Sequence, residues 1–211
     1  MGKAIHATWD QDSYRFYAND AAPNSATPNG ATNGTPSDIA FDTPFLVRFL
    51  VQETAGTNQL PQPIFYLQFN VNGGTYNSMA LSTYGVRMAA SSHFADGDSI
   101  AALLSAGTYK SGQAYETDYI GNALGASNGS DEYEVAWCVE FNSAATSLIV
   151  AVGDTIGFRL LIQDGDLNVT GGGIPFITNG GTYTNSPTIT VASAAKSLLF
   201  RPNPLQHLLV R

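Results

Sequence analysis

Gly125-Ala126-Ser127-Asn128-Gly129 spells G-x-S-x-G, the nucleophile elbow in which a strained strand-to-helix turn lifts a serine to the top of a sheet. The chemistry would be acyl transfer with a histidine base, and His6, His93 and His207 are the three available. The flanks do not build that turn. Gly121-Asn122-Ala123-Leu124 and Ser130-Asp131-Glu132 form a polar loop in place of an apolar strand and a helix, so a flexible loop is the better reading. Asp96-Gly97-Asp98 and Asp164-Gly165-Asp166 offer carboxylates to a hard cation such as calcium. Neither is followed by the regular further ligands of a calcium loop, and Asp-Gly is a common turn sequence. Any two of the 17 acidic residues could meet as the acid and base of a glycosidase, yet spacing singles out no pair. No phosphate-binding G-x-x-x-x-G-K-[ST], H-E-x-x-H or EF-hand pattern occurs. The chain is expected to have no catalytic residue, no cofactor and no metal.

Charges inside apolar strands stand out more. Arg15, Arg48 and Arg159 lie in Tyr14-Arg15-Phe16, Val47-Arg48-Phe49 and Phe158-Arg159-Leu160, where an unpaired charge would be costly. Glu134 and Glu140 fall on the polar side of the strand around Trp137 and suit cross-strand pairing. Structural ion pairs among Arg48, Arg159, Glu134 and Glu140, forming a ladder on one sheet face, are preferred to a ligand site. Exposed tyrosines and tryptophans could build a sugar platform, but the aromatic residues sit mostly at inward-alternating positions.

The elements that carry these residues are strands. Phe45, Val47, Phe49 and Val51 alternate with Leu46, Arg48, Leu50 and Gln52 over residues 44–53. Ile64–Val71 follows, then the turn Asn72-Gly73-Gly74, whose residues tolerate positive φ, and a return arm over Tyr76–Leu81. Tyr133, Val135, Trp137, Val139 and Phe141 alternate most cleanly. Tyr14–Tyr17, Ser147–Val152, Ile156–Ile162 and Thr188–Val191 complete the set, and one short helix is expected from Asp98-Ser99 through Leu104, stopped by Gly107. With no helical crossovers, the fold class is an all-β, antiparallel β-sandwich, immunoglobulin-like or jelly-roll, with long inserted loops and at most one short helix. The core is expected at Phe45, Val47, Phe49, Phe65, Leu67, Phe69, Val135, Trp137, Val139, Phe158 and Leu160. Residues 1–192 form the sandwich domain, with a polar arm or loop at 18–43 and an insertion at 82–132. Loops of that length are usually functional, often because another molecule orders them.

Composition narrows the function. The 211 residues carry a net charge of −8, and only 12% are charged, about half the usual share. Nine scattered Lys and Arg are too few to neutralise phosphates, so no nucleic-acid partner is expected. No stretch approaches the roughly 18 apolar residues of a spanning helix, so no membrane partner is expected either. After Met1-Gly2-Lys3 no apolar signal region follows, which points to synthesis in a cytoplasm. The single cysteine, Cys138, leaves no intrachain disulfide and no thiol cluster for zinc.

The runs Ser105–Tyr109, Glu132–Trp137 and Gly153–Arg159, with Tyr14–Asp20, Val47–Glu53, Leu67–Gly74 and Tyr183–Val191, resemble a β-sandwich module. That module occurs in virion proteins of tailed bacteriophages and in some bacterial surface proteins. The resemblance spans roughly residues 12–192 and departs from the pattern in the arm 18–43 and the tail 193–211. It implies a non-catalytic structural or binding role and supplies no active-site residues. The function expected from it is a virion structural protein, made in host cytoplasm: a capsid decoration or cement protein that binds the major capsid protein or other virion proteins through repeated contacts. The alternatives are a tail or fibre adhesin whose loops at 82–132 bind a host surface glycan, and a carbohydrate-active enzyme. Self-association is also expected, as a trimer by analogy with decoration proteins.

The tail carries its own signal. Residues 167–211 hold Lys196, Arg201 and Arg211 and no acid, hence +3, leaving −11 for residues 1–166. Leu198, Leu199, Phe200, Leu205, Leu208, Leu209 and Val210 would not stay free in water, and Pro204 excludes one continuous helix. Two readings stand: a final strand completing the sandwich, or a docking arm that lays Leu198, Phe200, Arg201, Leu205, Leu208, Leu209 and Arg211 on a neighbouring subunit or shell protein.

Overall fold

Because successive side chains of a strand point to opposite faces, two sheets with apolar inner faces can close on each other. A computed structural model of the chain describes residues 8–54, 63–79, 82–118, 121, 124–125, 129–163, 174–176 and 181–193, and they form such a sandwich. The first sheet contains β1 (Trp9–Ala18), β3 (Phe45–Glu53), β9 (Asp131–Phe141), β8 (Thr108–Tyr115) and β7 (Asp98–Ser99) in that spatial order, with β6 (Val86–Met88) beside β9. The second runs β2 (Ile39–Ala40), β12 (Thr188–Ala192), β10 (Thr155–Gln163), β4 (Ile64–Val71), β5 (Asn77–Ser78), with β11 (Ile174–Pro175) beside β10. The β4–β5 hairpin turns at Asn72-Gly73 with φ of 51° and 72°.

All eleven expected core residues are buried in one cluster between the sheets. Edge-to-face rings join the two layers: Trp9 meets Phe65 at 5.7 Å, and Phe158 meets Phe16 and Phe45 at 6.3 and 6.4 Å. A register shift between Gln11 and Ser13 accompanies a polar crossing between the layers. The buried Gln11 side chain donates to Asn185 O at 2.7 Å and accepts from Leu160 N at 3.0 Å.

The sandwich is all-β as the alternation requires, but its sheets are mixed. β8 runs parallel to β9, and β2 parallel to β12. Residues 116–130 supply the roughly dozen residues or more that a parallel connection needs. Three local expectations are corrected. The 98–104 segment is no helix: Asp98–Ser99 is β7, paired with Gln113 and Ala114, and the amides that follow are taken by a glutamate described below. Residues 82–132 hold β6, β7, β8 and the start of β9 in place of one long loop. Ser147–Val152 is no strand, because Leu148 takes a left-handed φ of 43° that breaks the extended run.

Candidate functional site

β3 and β9 are buried on both faces, which the alternation alone did not require. Behind the first sheet, Tyr17, Leu46, Ala114, Ala136 and Cys138 meet Ala26 from the arm and Ala89, Phe94 and Ile100 from the insertion in a second apolar cluster. Arg48 and Glu134 rise from the same face, diagonal to each other, since Arg48 is opposite Ala136 and Glu134 opposite Leu50. Their side chains are 1% and 0% exposed, and Arg48 Nε donates to Glu134 Oε2 at 2.5 Å.

The pair fastens both loops to the sheet. Arg48 Nη1 donates to Pro23 O at 3.2 Å, and Nη2 donates to Ala101 O. Glu134 Oε1 accepts the amides of Leu103, Leu104 and Ser105 at 2.8, 2.7 and 2.8 Å. Glu132 Oε2 accepts Gly107 N at 3.0 Å and the Ser105 hydroxyl. The loops touch each other as well, where Asn24 Oδ1 accepts Ala101 N at 2.8 Å. A carboxylate accepting three charge-assisted bonds from consecutive amides outcompetes the i−4 carbonyls a helix would offer, which is why 98–104 is not helical.

Of the expected ladder of ion pairs, Arg48–Glu134 forms, while Glu140 and Arg159 find other partners. Glu140 pairs with Arg87, directly opposite it on β6, with Nε and Nη2 at 2.7 and 2.6 Å. Arg159 lies in the other sheet, donates to Gln68 Oε1 at 2.9 Å, and stacks 4.0 Å over the Tyr76 ring. Arg15 donates to Gly30 O at 3.0 Å and lies 5.7 Å from the Tyr17 ring centre. Arg87 was the partner sequence reasoning missed. Its signal was the alternation of Val86-Arg87-Met88 inside a segment read as loop.

The remaining acidic motif is a turn. Asp96 Oδ1 accepts the amides of Glu116 and Thr117 at 2.7 and 3.0 Å, while Asp98 Oδ2 accepts Ala95 N at 3.0 Å around Gly97, whose φ is 86°. Burial raises the Asp96 pKa, but the bonds from Thr117, Glu116 and Asp118 outweigh it and hold the carboxyl below its ordinary value. Among the described residues no group of three or more His, Cys, Asp or Glu is placed to hold a metal. Asp164–Asp166, Ala126–Asn128 and the tail residues Leu198, Phe200, Arg201, Leu205, Leu208, Leu209 and Arg211 lie outside the described residues. A cleft of about 330 Å³ opens between Met79–Ala90 and Glu116–Asp118. Its charged walls are engaged: Arg87 with Glu140, and Glu116 with Ser91 N at 2.5 Å.

Of the four exposed large hydrophobic side chains among the described residues, Leu103 stands alone and the other three lie on the turn between β9 and β10. Leu148, Ile149 and Val152 are 38%, 68% and 59% exposed, while Val150 between them is buried. The loop is braced. Thr146 N and Ser147 N donate to Thr83 O at 3.0 and 3.2 Å, Gly85 N to Leu148 O at 3.1 Å, and Gly153 N to Val191 O at 2.9 Å. Asp42 Oδ1 accepts Ser143 N at 3.1 Å, and Asp154 Oδ2 accepts Ala151 N at 2.8 Å. A left-handed leucine is an unfavoured backbone held by its surroundings, and here it turns three aliphatic side chains to water. The sequence signal was the aliphatic run Leu148–Val152, which reads equally well as a buried strand.

No family model, curated protein or solved structure matches the chain.

Proposed function

We propose that the chain is a non-catalytic structural subunit of a bacteriophage particle, a capsid decoration or cement protein that attaches through repeated contacts. The observation that carries the binding role is the braced apolar tip at Leu148, Ile149 and Val152, presented by a closed sandwich. The resemblance noted in the sequence supplies the setting. The buried carboxylates of Glu132 and Glu134 are occupied with loop amides and an arginine, which suits rigidity better than proton transfer. Weak tips repeated over a symmetric shell give firm attachment by multivalency, so no single deep site is needed. Leu205, Leu208, Leu209 and Arg211, which lie outside the described residues, belong to the proposal as further contact residues, and self-association as a trimer is part of it.

Imaging intact particles with an antibody to the chain tests this reading. A regular array of hundreds of copies on the head is expected, and absence from particles refutes it. The rival reading, a tail or fibre adhesin, has the cleft at Met79–Ala90 and Glu116–Asp118 in its favour. A handful of copies confined to the tail would support it.

A further inference from the structure

A second concavity, of about 370 Å³, lies at the same end of the sandwich as the tip. Ala18, Pro28, Ile39, Ala40, Pro44 and Phe45 give it a mainly apolar lining, and the exposed Asp38 and Thr43 join them. β2, which supplies Ile39 and Ala40, is the edge strand of its sheet, and its partner there is β12. The pairing is parallel, with Val191 opposite Ile39 and Ala192 opposite Ala40. The chain therefore leaves its last described strand beside β2 and running parallel to it, next to the groove that Ile39 and Ala40 line.

We propose that this groove binds the Leu198-Leu199-Phe200 run of the same chain. Leu198 stands six residues past Ala192, a reach of about 20 Å at full extension, which is ample to return to the Pro44 wall. A tether that short sets a local concentration in the millimolar range, which favours the chain's own tail over a second copy's. The chemistry matches on both counts. Three large apolar side chains leave water for an apolar trough, and Lys196 and Arg201, which flank the run in sequence, are opposite in charge to Asp38 in the groove lining. The tip at Ile149 and Val152 is a second apolar surface near Val191, where the side chains stand 68% and 59% exposed. The described ends at Thr8 and Thr54 lie elsewhere, hydrogen-bonded to each other at the far end of β1 and β3. With Leu198–Phe200 seated, Pro202-Asn203-Pro204 separates it from Leu205–Arg211, which is left to meet a partner. The inference stands independently of the particle assignment.

Cysteine trapping on the isolated full-length protein tests it. Cys138 is fully buried, and burial, helped by Glu140 and Glu116, pushes its thiol up to about 12, so it does not compete for disulfides. Three double variants share Leu199→Cys and place the second cysteine at exposed Thr43, Ile149 or Thr54. Under mild oxidation, Thr43→Cys is expected to form an intrachain disulfide about tenfold or more faster than the other two, at a rate independent of protein concentration. Faster linkage at Ile149→Cys, disulfide-linked dimers through Thr43→Cys, or equally slow linkage at all three positions would each overturn the proposal. Unchanged circular dichroism of the reduced variants confirms that they fold.

Discussion

Glu134→Gln is the sharpest perturbation of the loop clasp. The substitution keeps the size of the side chain but removes its charge, leaving Arg48 buried without its counter-ion. It also sets an amide nitrogen against either Arg48 Nε or the three donors at Leu103, Leu104 and Ser105, because one side-chain oxygen cannot serve both sides. Removing one partner of a buried pair costs about 3–5 kcal/mol. For a domain of this size, about 1 kcal/mol moves Tm by roughly 2–4 °C, so a fall of roughly 6–20 °C is expected. Calorimetry measures the global part, and hydrogen exchange at residues 103–105 the local part. The companion variant R48M/E134L separates them. Its apolar pair restores much of the global stability, yet the three amides still lose their acceptor and exchange faster. The reasoning is refuted if Glu134→Gln leaves Tm within about 2 °C of the parent and leaves exchange at 103–105 unchanged.

Acid should loosen the tip. The side chains of Ser143 and Asn72 hold Asp42 and Asp154 below their ordinary value of 3.8, with backbone amides adding to the effect. Folded values below the unfolded one mean a contribution present above about pH 4 and lost as pH falls through the lower folded values, so faster exchange over residues 142–154 is expected only below that pH. Gly85→Ala should disturb the same loop at neutral pH. A methyl there would meet Leu148 O at 2.5 Å and Val150 N at 2.8 Å, both backbone, and a loss of about 1–3 kcal/mol in urea unfolding is expected.

The legible part of this fold was whatever rests on period two. The strands around Phe49, Leu67, Trp137 and Leu160 are read directly, because a one-residue slip would turn every large side chain to water. Tyr133–Phe141 reads as strand but does not reveal that its outer face, Glu134, Ala136 and Cys138, is covered as well. That covering comes from loops whose anchors are a diagonal pair, 86 residues apart in sequence, and no local pattern encodes the pairing. The types of Arg48 and Glu134 announced a buried need for partners, and register alone decided that they met each other while Glu140 met Arg87. The helix expected at 98–104 rested on a local signal that the Glu134 carboxylate overrode. The tip was invisible as a surface, because burial of Val150 and exposure of Ile149 depend on the left-handed turn at Leu148.

The most direct test of the assembly role is rebinding. Purified protein is added to particles assembled without it, and wild type is compared with I149S/V152S by co-sedimentation. Both side chains are largely exposed, so the double variant is expected to unfold within about 0.5 kcal/mol per site of wild type. Because attachment multiplies over many copies, a small loss at each tip becomes a fall of about a hundredfold in apparent affinity. Saturable rebinding by wild type and its loss in the variant is the result this account predicts. Equal rebinding by the two proteins, or none by either, would contradict it.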